Sequence, residues 1–125
     1  MRFLILIFSA ALALAPLAEV HAHEIYTGLH GKDGQLCCGG SDCAATVYRM
    51  HGQQYELLAR EGEWVQIPEE RITFLPVPGD NVVSTETHRA HLCYRPATDA
   101  DRVGHSEDVF GNILLYCAFI APGAI

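Results

Sequence analysis

The spacing of apolar residues changes several times along the chain, and each change marks a boundary. Phe3 to Leu14 is an almost unbroken apolar run behind Arg2; Pro16 stops it, and Val20-His21-Ala22 follows with small residues where a signal peptidase reads. A charged start, a short apolar stretch and such a cleavage pattern together read as a secretory signal peptide. The run is shorter than the ~20 apolar residues that cross a bilayer. Residues 1–22 are therefore expected to be a leader, and residues 23–125 a mature single domain with no integral membrane span. No cysteine stands at the cleavage point, so no lipid anchor is expected.

His23 to Asp42 shows neither helical nor strand periodicity, and residues 23–44 are read as an irregular cysteine-rich arm. Gly39 and Gly40 within it permit the positive φ angles that a tight bridged loop needs. From Ala45 the pattern alternates. Ala45 to Met50 contains the strand formers Thr46, Val47 and Tyr48. His51-Gly52-Gln53 reads as a turn, Gln54 to Ala59 as a second strand, Glu61-Gly62-Glu63 as a turn and Trp64 to Ile67 as a third strand stopped by Pro68. Turns at this spacing predict a β-meander. Pro68 to Arg71 reads as a turn or a single helical turn, and Ile72 to Leu75 as a short strand; Pro76, Pro78 and Gly79 force a loop. Arg89 to Tyr94 is expected to be the next strand, carrying His91 and Cys93, and Pro96 to Gly111 a long polar loop. Ile113 to Ala121 is apolar at nearly every position, as in a strand buried on both faces. The prediction is a mainly β fold: a small disulfide-stapled antiparallel meander or barrel-like domain (45–125) behind the arm, with Trp64 as a core anchor.

Length and charge narrow the class. Removing 22 residues from 125 leaves 103, one domain's worth. Such a chain buries somewhat more than about 60% of its unfolded surface, an adequate but not generous core. Eight Lys and Arg against fifteen Asp and Glu give −7, and loss of Arg2 and Glu19 with the leader leaves that difference unchanged. Bulk electrostatics therefore oppose nucleic acid and anionic membrane surfaces, which attract basic patches.

Five cysteines, Cys37, Cys38, Cys43, Cys93 and Cys117, all lie in the mature part. At this density outside the cytoplasm cysteines pair. Five is odd, so at most two intrachain bridges form and one thiol is left over. An exposed thiol is a liability where thiols are oxidised, so the leftover one is expected to be buried. A bridge from Cys37 or Cys38 to Cys93 would close a loop of about 55 residues, worth roughly 4 kcal/mol in the chain-entropy account. The pairing itself stays open at this point. The cluster reads first as a staple that pins the arm to the sheet. It reads second as redox chemistry, because adjacent Cys37 and Cys38 could form a strained vicinal ring. No C-x-x-C motif is present, which weakens a thioredoxin-like reading.

Cleavage after Ala22 would make His23 the first residue. Its α-amine and imidazole could then chelate one metal ion, and nitrogen ligands in a square arrangement suit Cu(II) or Ni(II). His30, His51, His88, His91 and His105 could complete such a site. His91 is preferred because Cys93, on the same side of a strand, could tether it to the arm. Copper is the expected metal if the site is filled. Asp99 to Gly104 resembles the start of a calcium loop but fails at Val103 and Phe110, where oxygen ligands are required, so this acidic stretch is read as a solvated excursion. His105, Ser106 and Asp108 invite a triad, but no nucleophile elbow surrounds them and triads are spatial rather than sequential.

The His23-Glu24-Ile25-Tyr26 start, the Cys37-Cys38-x-x-x-Asp42-Cys43 cluster, His91-Leu92-Cys93 and the Cys117 to Pro122 end together resemble a group of uncharacterised small exported bacterial cysteine-rich proteins. The likeness covers most of the mature chain in short pieces, and the Thr98 to Asn112 stretch is longer than the group's pattern. It implies export and disulfides and assigns no activity. The leading expectation is a periplasmic or secreted non-enzymatic binding or accessory module. The alternatives are a copper protein using His23 and His91, and a thiol-disulfide redox protein using Cys37 and Cys38.

Overall fold

A computed structural model describes residues 24–38, 42–80 and 88–122; the leader, His23 and the Gly39-Gly40 pair lie outside the described residues. The meander forms where alternation predicts it. β1 (Asp42–His51) turns at Gly52 into β2 (Gln54–Leu58), which turns at Gly62 into β3 (Trp64–Ile67). Both glycines have positive φ, +62° and +77°, a conformation that side-chain-bearing residues rarely adopt. A 3-10 turn over Glu69–Arg71 leads into β4, which is only Ile72–Thr73. β5 (Arg89–Pro96) and β7 (Ile113–Ile120) are the two long central strands, and β6 (Val109–Phe110) hairpins onto β7. The strands run in the order β3-β2-β1-β5-β7-β4 and curl into a nearly closed barrel-like sheet. All pairings are antiparallel except β4 with β7. Among the described residues no helix is long and apolar enough to cross a membrane.

Two-residue side-chain periodicity gives this sheet two apolar faces. On β5, Ala90, Leu92 and Tyr94 join the main core with Tyr48, Leu57, Val65, Ile67, Ile72 and Ile113. Cys93 points to the opposite face, where Cys43, Cys117, Phe119, Val77, Cys37 and Tyr26 form a second cluster. The arm lies over that second face. It begins with a 3-10 turn at Glu24–Tyr26 and folds back on itself through the His30–Leu36 bridge. Gly31 lies so close to β7 that a Cβ there would meet the Cys117 Sγ at 2.9 Å and the Gln35 side chain at 2.6 Å, so only glycine fits without displacement.

β7 serves both faces because its register slips. Cys93 pairs with Cys117 but Tyr94 pairs with Leu115, which leaves Tyr116 as the extra residue of a bulge. Before the bulge Ile113 and Leu115 enter the main core; after it Ala118 and Ile120 do, while Cys117 and Phe119 turn to the arm. The Tyr116 carbonyl at the bulge accepts a 2.7 Å hydrogen bond from Gln35 Nε2 of the arm.

Several expectations are corrected. β1 begins three residues early, so Cys43 belongs to the sheet and not to the arm. The stretch from Pro96 to Gly111 is not one polar loop: it holds α1 (Asp99–Gly104), a 3-10 turn at Ser106–Asp108 and β6. Asp101 is no solvated acid. It is buried, its carboxylate takes two bonds from Arg95 (2.7 and 2.8 Å), and it closes a reciprocal cap with Thr98 at the start of α1. The Arg95 bonds, then the Thr98 amide, hold its pKa far below the usual carboxylate range. Trp64 is half-buried under the Arg49 guanidinium, 4.2 Å from the ring centre, and is not a core anchor.

Candidate functional site

The chemistry-bearing residues gather under the arm. Cys43, Cys93 and Cys117 stand directly opposite one another on the neighbouring strands β1, β5 and β7. Same-face positions in register bring their side chains into one row. Two disulfides result: Cys43–Cys93 across β1 and β5, and Cys37–Cys117 from the arm to β7. The arm is thus stapled to Cys117 rather than to Cys93. Cys37 and Cys38 do not bond to each other; one reaches β7 and its neighbour reaches β1. Cys38 is the free thiol, half-buried rather than sealed away, with its Sγ 3.3 Å from Cys43 Sγ. Burial pushes its pKa above the ordinary thiol value.

Beside the sulfur row runs a buried polar chain. His91 Nδ1 lies 2.8 Å from the Tyr26 hydroxyl and Nε2 lies 2.7 Å from Asp80 Oδ2. Asp80 also accepts two 3.0 Å bonds from Arg89. The Arg89 bonds outweigh partial burial and, with His91, hold the Asp80 carboxyl down at about 2. Burial lowers the His91 pKa, against the opposing pull of Asp80. The Tyr26 phenol is pushed up to about 12, by burial first and by the Asp80 charge second. These directions assign the protons at neutral pH. Tyr26 donates to a neutral His91 Nδ1, and His91 Nε2–H donates to the Asp80 carboxylate. The chain ties the arm, through Tyr26, to β5 and to the loop before it.

A pH dependence follows. The unfolded His91 ring titrates near its ordinary 6.5 and the folded ring lower, so stability is complete above that value and falls as acid charges the ring. Asp80 contributes stability above its ordinary 3.8, lost as pH falls toward about 2. Calorimetry should therefore show a melting temperature that declines in two stages, below about pH 6.5 and again between about pH 4 and 2. His91→Asn should remove the upper stage and keep the lower one, narrowed because Asp80 loses part of what holds its carboxyl down.

His23, the other half of the copper reading, lies outside the described residues. At His91 both ring nitrogens are already engaged, so a metal would have to displace Tyr26 or Asp80, and the geometry lends that reading no support. Among the described residues, the group of His, Cys, Asp and Glu side chains with ligand atoms within 4.8 Å of one another is His105, Glu107 and Asp108, without His91. Asp108 there already pairs with Arg71 at 2.8 Å.

A cavity of about 360 Å³ opens where the arm, β7, β5 and the α1 end meet. Leu114, Leu115 and Tyr116 of β7 line it, with Arg95, Arg71, His105 and Asp108 along one side and Asp33 and Gln35 of the arm along the other. The two guanidiniums are already matched, Arg95 by Asp101 and Arg71 by Asp108. This site was not anticipated from the sequence. One local signal pointed toward its wall: Thr98-x-x-Asp101 is a capping box, which announces a helix start where a loop was expected. The other contributors are far apart in the chain. Comparison with family models, with curated proteins and with solved structures found no match, so the resemblance to exported cysteine-rich proteins stays a proposal and the functional reading rests on geometry.

Proposed function

We propose that the chain is an exported, non-enzymatic binding or accessory module that holds a small polar ligand in the cavity between the arm and β7. The observation that carries the reading is the cavity itself: its ~360 Å³ falls within the range of small-molecule sites. Its walls mix an apolar floor with groups that donate and accept hydrogen bonds. With Arg71 and Arg95 neutralised by their own carboxylates, Asp33 at the arm side gives the mouth a negative bias. That bias favours neutral or cationic polar ligands over anions, in keeping with the chain's net charge of −7. Two disulfides support an oxidising compartment outside the cytoplasm as the place of work.

The test is saturation-transfer NMR with panels of amines, amino acids, sugars and dicarboxylates at millimolar concentration. Amines, amino acids or sugars should show transfer, and Asp33→Arg, an exposed substitution, should abolish it with an unchanged melting temperature. Transfer from dicarboxylates alone, from no class, or surviving Asp33→Arg would defeat the proposal.

A further inference from the structure

The five sulfurs are more than two staples and a remainder. Three of them form a chain: Cys38 Sγ lies 3.3 Å from Cys43 Sγ, which is bonded to Cys93 Sγ. A separation of about 3–3.5 Å between reacting atoms meets the distance requirement of a near-attack arrangement. Cys38 is half-buried, whereas Cys43 and Cys93 are 2% and 0% exposed, so solvent and base reach this trio at Cys38.

We infer that Cys38, Cys43 and Cys93 form an intramolecular thiol–disulfide exchange site. Cys38 loses its proton to solvent base and its sulfur attacks Cys43 Sγ. The Cys38–Cys43 bond forms as the Cys43–Cys93 bond breaks, and the electron pair leaves on Cys93 Sγ, which takes up a proton. One disulfide and one thiol remain, so no oxidant or reductant is consumed. The protein then has two covalent forms. In one, β1 is stapled to β5 and the thiol faces the surface. In the other, β1 is stapled to the arm five residues upstream, and the thiol sits fully buried at position 93 on β5. Because both forms keep Cys37–Cys117, the arm stays attached to β7 throughout. Exchange would move a reactive thiol between an accessible and a protected position. The vicinal Cys37–Cys38 ring, the alternative redox reading of the cluster, plays no part.

The experiment is thiol mapping of the folded, oxidised full-length mature protein. Samples held between pH 6.5 and 9 are acid-quenched, denatured, alkylated with N-ethylmaleimide and digested with trypsin. The native pairing leaves the label on Cys38 and ties the peptide 90–102 to the peptide 33–49. Exchange releases peptide 90–102 carrying the label on Cys93. The rate of its appearance should rise about tenfold per pH unit below the thiol pKa, as the thiolate fraction does. Cys38→Ser should abolish it. A second variant, Cys93→Ser, reoxidised with oxidised glutathione, should form Cys38–Cys43 and show no free thiol. Label confined to Cys38 at every pH, label spread over Cys37 and Cys117 as well, or a pair of free thiols in Cys93→Ser would each overturn the inference.

Discussion

Replacing Cys37 and Cys117 together by alanine should destabilise the protein by about 4–5 kcal/mol, the largest effect expected of any paired substitution here. The bridge closes a loop of 80 residues, and the chain-entropy account assigns a loop of that length about 4.5 kcal/mol. A domain of this size is stable by about 5–15 kcal/mol in total, so the variant should sit close to unfolding at body temperature. The loss should not be uniform. Without the bridge the arm is held by the Tyr26–His91 and Gln35–Tyr116 hydrogen bonds and by its covalent continuation into β1. Its detachment would bare the second apolar cluster, Phe119 and Val77 included, while the main core around Leu57, Ile67 and Ile72 stays packed. Urea denaturation should report the lower midpoint, and hydrogen exchange should show lost protection on the arm before the meander. A loss under about 1 kcal/mol would mean that the folded state gains little from the staple.

Asp80→Ala should lower stability by about 2–3 kcal/mol. Removing one partner of a fully buried ion pair costs about 3–5 kcal/mol, and the 13% exposure of the Asp80 side chain lets water recover part of it. The substitution strips the acceptor from His91 Nε2, whose side chain is only 6% exposed, and loosens the Tyr26 contact that seats the arm. It should also shrink the acid stage between about pH 4 and 2, leaving the share that comes from Asp101, whose carboxyl is held down as well. Asp80→Asn keeps an oxygen at the same place and should cost less. An undiminished low-pH stage in Asp80→Ala would assign that stage to Asp101 and other carboxylates.

Thiol–disulfide exchange at Cys38, Cys43 and Cys93 changes what these variants report. Cys37→Ala/Cys117→Ala leaves Cys38, Cys43 and Cys93 in place, so its stability is that of two interconverting covalent forms. Comparing it with the same pair of changes in a Cys38→Ser background separates the loss of the staple from the shuffling beside it. Where exchange operates, the two backgrounds should differ more at pH 8.5 than at pH 6.5.

The meander was legible in the sequence because its signals are local. Alternation in Ala45–Met50 and Gln54–Leu58, with Gly52 and Gly62 at the turns, requires no knowledge of the remainder of the chain. The continuous apolar run from Ile113 announced a strand buried on both faces for the same reason, and β7 is one. α1 carries one local signal, the Thr98–Asp101 capping pair, because its six residues are too few to show periodicity.

What the tertiary structure alone decided is which distant groups meet. Bridges from Cys37 to Cys93 or to Cys117 close loops whose entropies differ by only fractions of a kcal/mol, since that cost grows with the logarithm of length. No spacing argument could therefore choose Cys117 over Cys93 as the partner of Cys37. Strand order and register chose it, by setting Cys43, Cys93 and Cys117 in one row and slipping β7 by one residue at Tyr116. The same placement joined Tyr26, Asp80 and His91, and brought Cys38 against a disulfide. Such contacts follow from long-range pairing energy summed over the whole sheet, which no local window of residues contains.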